Sequence, residues 1–161
     1  LKNAIMGTYK TVSNIFIIIA VASFFTKVLT LEHFPEMVTS AFLGMADNPF
    51  LILLLINLLV LLVGMFMETI SALTILTPIL LPVAAAIGVA PVHLGVILVL
   101  NLTIGMLTPP FGVGLYTVAT LGKEAPHKVL KELLPLYVPL LIALMVVTYV
   151  PGLTMWLPSL L

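Results

Sequence analysis

Gly64-Met65-Phe66-Met67-Glu68-Thr69-Ile70-Ser71 interrupts an apolar run that starts at Phe50 and resumes as far as Ile87. Gly105-Met106-Leu107-Thr108-Pro109-Pro110-Phe111-Gly112 interrupts a second run, from Val92 to Leu121. Pro109 and Pro110 each lack a backbone N–H, and with Gly105 and Gly112 on either side they preclude continuous helix through the joint. Around Glu68 the neighbours are Met, Phe and Ile, not the polar residues of an aqueous loop. The fold turns on these two breaks.

Composition identifies the solvent. Hydrophobic residues make up 62% of the chain and charged residues 7%, where a soluble domain is about half apolar and a quarter charged. Mean hydropathy is +1.33. A chain of 161 residues cannot hide that much apolar surface from water, so its solvent is lipid and its class is all-α integral membrane protein. Six lysines, no arginine and six acids leave no net charge and no basic surface, so no nucleic-acid partner is expected. The absence of cysteine excludes disulfides and thiolate metal sites. Leu1-Lys2-Asn3-Ala4-Ile5-Met6 is neither an initiator methionine nor a signal peptide, and more chain is expected upstream.

Outward from the breaks, residues 1–11 read as a cytoplasmic-side arm or linker, and 12–48 as a transmembrane helix (Val12–Val28) followed by an interfacial helix (Leu31–Phe42). Asp47-Asn48-Pro49 is a turn and a helix start, since Asp and Asn cap and Pro suits the first turn. Residues 49–88 read as a re-entrant helical hairpin. Phe50–Val63 gives only ~21 Å of helix against a hydrocarbon core of ~30 Å, and bare backbone at membrane depth is tolerated only against protein or a water-filled cavity. Residues 89–121 read as one broken transmembrane helix, whose halves Val92–Ile104 and Phe111–Leu121 span only end to end. Residues 122–134 hold Lys123, Glu124, His127, Lys128, Lys131 and Glu132, with Val129, Leu130, Leu133 and Leu134 at helical spacing; this is an amphipathic interfacial helix. Residues 135–161 are a last transmembrane helix ending near Trp156.

Charge supports that count. One span, one hairpin and one broken span put Lys2, Lys10, Lys123, Lys128 and Lys131 on one face and Glu32, Glu36 and Asp47 on the other. The positive-inside rule makes the lysine face cytoplasmic and the hairpin an entrant from outside. Two crossings within 92–121 would strand the three later lysines outside.

A hard monovalent cation needs oxygen ligands, and unwound helix inside a membrane supplies carbonyls. Half-helix C-termini favour a cation and N-termini an anion, and interrupted segments mark a transporter's midplane site. Ser71, Thr74 and Pro78 share one helical face, as do Asn101, Gly105 and Thr108. Facing tips form an oxygen-lined pocket near the midplane, walled by Glu68, Thr69, Ser71, Asn101, Pro109, Pro110 and Gly112. Plainer readings stand beside these. Glu68 is an ordinary loop carboxylate if the hairpin is two spans, although an acid at membrane depth costs about 2.5–3.5 kcal/mol and a cavity-lining role fits it better. Ser71, Thr74 and Thr77 bond back to helix carbonyls or join helices, and an Asn such as Asn101 is more often a helix–helix hydrogen bond than a ligand. His33, His93 and His127 fall at expected interfaces or connections without a metal-binding spacing; Met65, Met67 and Met106 read as packing. No HExxH, GxSxG, phosphate loop or Ser/His/Asp set is present, so neither an enzyme nor a cofactor is expected.

Residues 64–82 (Gly-Met-Phe-Met-Glu-Thr-Ile-Ser-Ala-Leu-Thr-Ile-Leu-Thr-Pro-Ile-Leu-Leu-Pro) and 101–115 (Asn-Leu-Thr-Ile-Gly-Met-Leu-Thr-Pro-Pro-Phe-Gly-Val-Gly-Leu) resemble the large membrane subunit of the tripartite ATP-independent periplasmic (TRAP) transporters. The likeness extends less specifically over the whole chain and corresponds to the C-terminal repeat, well under half of such a subunit. It implies an elevator-type transporter with two inverted repeats, each holding a re-entrant hairpin and a broken helix. It also implies import of organic acids, C4-dicarboxylates or sugar acids such as sialic acid, with Na+ as the coupling ion, in the bacterial inner (cytoplasmic) membrane. The partners implied are a small four-helix membrane subunit (separate or fused), a periplasmic substrate-binding protein, the N-terminal repeat of the same subunit and the lipid bilayer. Carried onto this chain, Gly64–Ser71 is the outer hairpin tip and Gly105–Gly112 the unwound joint. Gly64, Gly105, Thr108 and Phe111 are then the Na+ contacts, through carbonyls and the Thr hydroxyl. The chain has no arginine to clamp a substrate carboxylate.

Competing classes are a Na+/dicarboxylate symporter that needs no binding protein, an ion channel built on re-entrant segments, and a non-transporting scaffold subunit. Saturable uptake that requires a Na+ gradient separates carrier from pore; tip substitutions that alter assembly alone would mark a scaffold.

Overall fold

The computed structural model describes residues 2–46 and 48–160; Leu1 of the expected arm and Asp47 of the expected turn lie outside the described residues. Among the described residues all regular structure is helical. The order is α1 (Lys2–Leu31), α2 (Phe34–Met45), α3 (Pro49–Phe66), α4 (Thr69–Ala86), α5 (Pro91–Leu107), α6 (Val113–Gly122), α7 (Pro126–Tyr149) and α8 (Gly152–Met155), then a 3-10 turn at Pro158–Leu160. The all-α membrane class read from composition is therefore observed. Among the described residues α3, α4 and α7 are each long and apolar enough to cross a membrane.

Local chemistry explains the element starts. Asn48 caps α3 by accepting the Phe50 N–H at 2.9 Å, with Pro49 at the first helical position. Glu68 caps α4 in the same way. Inside α4, Pro78 and Pro82 withhold two N–H donors, and the Thr74 and Thr77 hydroxyls bond back to Ile70 and Leu73 carbonyls at 2.7 Å. These two threonines thus take the back-bonding role.

The core is a three-helix slab. Ile52, Ile56 and Val60 of α3, Ala72, Leu76, Leu80 and Val83 of α4, and Leu94, Leu98 and Leu102 of α5 pack together, each set spaced by three or four residues. α3 and α5 run parallel, because Asn57 pairs with Asn101 and Gly64 meets Gly105 seven and four residues further on. α4 returns between their two ends and is antiparallel to both. α7 runs back beside α6 and α5: Tyr137 reaches Leu107 at the far end of α5, and Thr148 lies against His93 in its first turn. From Pro126 to Tyr137 is roughly 16 Å of helix, about the length of α6, so α6 carries the chain onward from α5. The stretch 91–122 is one path interrupted at 108–112.

Several expected boundaries move. The arm expected at 1–11 is helix from Lys2, part of the 30-residue α1. The helix expected at Leu31–Phe42 lies at Phe34–Met45, turned 67° from α1 through His33, whose φ is 53°. α3 runs past Val63 to Phe66, giving 18 residues, or ~27 Å. At that length α3 can cross a membrane, against the expectation that it is too short, and only Met67 and Glu68 lie outside helix where 64–71 was expected to unwind. Likewise α5 runs to Leu107, so the second break covers 108–112, not 105–112. A lone Gly disfavours helix by only about 1 kcal/mol, and the packing of Gly64 against Gly105 outweighs it. The separate amphipathic helix expected at 122–134 is the start of the continuous α7, which tolerates Pro135 and Pro139. The last span, expected to reach 161, stops at Tyr149 because Pro151 pushes Val150 out of helical geometry (φ −118°, ψ 78°).

Candidate functional site

α3 and α5 end side by side. A Cβ added at Gly105 would lie 2.8 Å from the Gly64 Cα, and one added at Gly64 would lie 3.2 Å from the Gly105 Cα. Paired glycines permit this backbone approach, the device by which membrane helices come closest. Just beyond it both helices stop, and each C-terminal end carries a partial charge of about −0.5. Of the last carbonyls of α3, that of Val63 receives the Met67 N–H at 2.9 Å, while those of Gly64, Met65 and Phe66 receive no backbone N–H among the described residues. On α5, the Ile104 carbonyl takes the Thr108 hydroxyl at 2.9 Å, the Gly105 carbonyl takes the Thr108 N–H at 2.8 Å, and the Leu107 carbonyl takes the Tyr137 hydroxyl at 2.7 Å. A hydroxyl that donates keeps its lone pairs, and a carbonyl with one donor keeps a second. Two negative helix ends and a threonine oxygen thus meet in one place. No group of three or more His, Cys, Asp or Glu side chains suited to a metal occurs among the described residues. The chemistry on offer is that of neutral oxygens, which suits a small hard monovalent cation.

The two breaks touch. The Phe66 and Phe111 rings lie 5.4 Å apart, and the Thr69 hydroxyl donates to the Met106 sulfur at 3.9 Å. Pro109 and Pro110, joined by a cis peptide, carry the chain to Gly112. Gly112 is buried at φ 32°, and a Cβ there would meet the Thr108 carbonyl at 3.1 Å, so the position requires glycine. Gly112 also immediately precedes α6, whose first turn has no side-chain cap. The start of α4 differs. Glu68 accepts from the Ile70 N–H (3.0 Å), the Ser71 N–H (3.1 Å) and the Ser71 hydroxyl (3.3 Å).

Gly64, Gly105, Thr108, Phe111, Thr69, Pro109, Pro110 and Gly112 are therefore brought together. Glu68 and Ser71 stand at the same tip, but the exposed Glu68 carboxylate is engaged with the first turn of its own helix. Asn101 is wholly buried; its Nδ2 donates to the Asn57 carbonyl and Oδ1, both at 2.8 Å, and its own Oδ1 meets no hydrogen-bond donor among the described residues. The helix–helix hydrogen bond expected of Asn101 is observed.

Sequence reasoning missed five residues: Asn57, His93, Tyr137, Thr148 and Thr154. Asn57 Nδ2 also donates to Leu53 O (3.0 Å) and to Thr148 Oγ1 (3.1 Å). His93, expected at a connection, is buried in α5 with Nε2 3.1 Å from the Thr148 carbonyl and Nδ1 2.6 Å from the Thr154 hydroxyl. Asn57 was detectable as the sole polar side chain within Phe50–Val63. Nothing local marks Thr148, or Tyr137 behind the second break.

The chain is similar to known proteins over most of its length. The family model described as "Tripartite ATP-independent periplasmic transporter, DctM component" matches residues 1–153. The sialic acid TRAP transporter large permease protein SiaM of Vibrio cholerae is 42% identical over 153 residues, which cover 95% of this chain and 36% of that protein. The isethionate TRAP transporter permease protein DctMQ of Oleidesulfovibrio alaskensis is 40% identical, over 91% of this chain and 23% of that protein. The C4-dicarboxylate TRAP transporter large permease protein DctM of Vibrio cholerae is 40% identical, over 89% and 32%. The chain thus spans about a third or less of the length of these relatives, which are transport permeases and not enzymes. It is a multi-pass membrane protein, and it belongs to the DctM-component family of tripartite ATP-independent periplasmic transporters.

Proposed function

We propose that this chain is the C-terminal repeat of the large permease of a Na+-coupled carrier that imports organic acids across the bacterial inner membrane. The observation that carries the reading is the meeting of the α3 and α5 C-terminal ends at Gly64 and Gly105, with the Thr108 hydroxyl beside them. Na+ bound there takes carbonyl oxygens of Gly64, Gly105 and Phe111 and the oxygens of Thr108. No carboxylate is needed. The attraction comes from partial charges, strong enough to admit the ion and weak enough to release it.

The substrate's carboxylate belongs at the start of α6. Its N–H groups have no side-chain cap, whereas Glu68 already closes the start of α4 and repels a second anion. A cation at the end of α5 and an anion at the start of α6 lie across one short break, so each favours the other; that is a coupling free energy between ion and substrate. Relatives named for sialic acid, isethionate and C4-dicarboxylates support an organic anion as the class. A shared core ties α3, α4 and α5 into one body, which supports elevator movement of the site; in this reading both breaks sit at membrane depth, as a re-entrant hairpin and a broken helix. The partners in this reading are the first repeat of the same subunit, a small membrane subunit and a periplasmic binding protein. The lysines of 123–131 face the cytoplasm.

The test is uptake by the full transporter in proteoliposomes, supplied with its binding protein, as a function of Na+. Thr108→Ala removes one oxygen and is expected to raise half-saturating Na+ about tenfold, equivalent to ~1.4 kcal/mol; Thr108→Ser keeps the oxygen and stays near wild type. Equal Na+ dependence in all three proteins would overturn the site, and uptake that never saturates would favour a pore.

A further inference from the structure

The last peptide unit before the second break is held from both edges. Its carbonyl, that of Leu107, accepts the hydroxyl of Tyr137 on α7 at 2.7 Å. Its N–H, that of Thr108, donates to the Gly105 carbonyl at 2.8 Å. A peptide unit is a rigid plane, so these two bonds fix its rotation, one from within α5 and one from a helix 30 residues away. That rotation sets the position of the Thr108 Cα, and with it the hydroxyl that lies 2.9 Å from the Ile104 carbonyl.

Packing does not hold this peptide by itself. Beside it lies a cavity of about 320 Å³ walled by Leu61, Ile104, Thr108, Pro109, Leu130 and the Tyr137 ring, among others. The peptide has room to swing on that side, and neither proline beyond it has an N–H that could restrain it.

We infer that Tyr137 is a positioning residue for the cation site: its hydroxyl holds the 107–108 peptide so that the Thr108 oxygen and the last α5 carbonyls stay gathered at the end of α3. The inference rests on reading that cluster as the Na+ site. Without the hydroxyl, the Leu107 carbonyl loses its donor in half-buried apolar surroundings and turns toward water or the cavity, taking Thr108 with it. Na+ must then reassemble its own ligands, and preorganisation is lost.

Tyr137→Phe deletes one oxygen and keeps the ring. In the reconstituted full transporter it is expected to raise half-saturating Na+ about three- to tenfold. The maximal uptake rate at saturating Na+ should stay within about twofold of wild type, and the thermal midpoint without Na+ should fall only slightly. Leu130→Ala widens the cavity without touching the hydrogen bond and is expected to keep wild-type half-saturation. A Tyr137→Phe protein that melts earlier without Na+ yet keeps wild-type half-saturation would make Tyr137 merely structural and overturn the inference. A rise of equal size in Leu130→Ala would overturn it in favour of packing. If wild type and Thr108→Ala differ as stated while Tyr137→Phe matches wild type, this inference alone fails; if wild type shows no Na+ dependence, the site reading fails and takes the inference with it.

Discussion

Gly105→Ala strains the backbone contact between α3 and α5 and nothing else. The new Cβ would stand 2.8 Å from Gly64 Cα, 2.9 Å from Gly64 C and 3.0 Å from Leu61 O. All three are backbone atoms, so no rotamer change relieves the contact. Carbon atoms sit best at about 3.5–4.0 Å, and the two helix ends must part by roughly 0.7 Å or more. Overpacking of this kind costs about 1–3 kcal/mol, while alanine in place of a helical glycine returns up to ~1 kcal/mol. The net cost in melting is therefore about 0–3 kcal/mol, and the spacing of the carbonyls changes with it. Expressed in cation affinity, 1–3 kcal/mol is a rise of roughly 5- to 150-fold in half-saturating Na+. The assay is a Na+ titration of substrate uptake in proteoliposomes. Gly95→Ala is the control, since α5 also contains Gly95 and a Cβ there meets nothing within 4 Å; it should be neutral or slightly stabilising. Wild-type Na+ dependence in Gly105→Ala, or equal damage in Gly95→Ala, would refute the reasoning.

Asn101→Leu strips two acceptors on Asn57 of their donor and should lower the thermal midpoint by the equivalent of about 0.6–1.7 kcal/mol, the range for hydrogen bonds between membrane helices. The Asn57→Leu/Asn101→Leu double variant should lose less than the sum of the two single changes, and strict additivity would contradict the pairing. Glu68→Ala removes the α4 cap and should cost about 0.5–2 kcal/mol of stability, with Glu68→Ser recovering most of it. Both should keep wild-type Na+ half-saturation; a marked rise in Glu68→Ser would return the carboxylate to the cation site.

The breaks were legible because their signals are local. Paired prolines between glycines cannot continue a helix whatever surrounds them, and Thr108–Gly112 is unwound as expected. The limits of the breaks were not legible. Gly64 and Gly105 look like helix breakers in isolation, yet each is helical because the other lets the backbones meet, a pairing 41 positions apart in sequence. Glu68 followed by Thr69, Ile70 and Ser71 looks like a lining acid with hydroxyls nearby. It also caps α4, and cap geometry depends on where α4 begins. His93 reads as lying at an interface or connection without a metal-binding spacing; α7 and α8 bury it with residues drawn from 148–154. Pro139 does not break its helix as Pro109 and Pro110 do: a membrane-helix proline can be accommodated by neighbouring helices, and α7 passes through it. Periodicity and composition give the class and the breaks, whereas tertiary contacts decide which oxygens converge.

The most direct measurement is an experimental density map of the full transporter in saturating Na+, set beside one with Na+ replaced by a large organic cation. The account expects a Na+-dependent peak enclosed by Gly64, Gly105, Thr108 and Phe111, lost on replacement. A Na+-dependent peak elsewhere in this repeat, or none between the ends of α3 and α5, would contradict it.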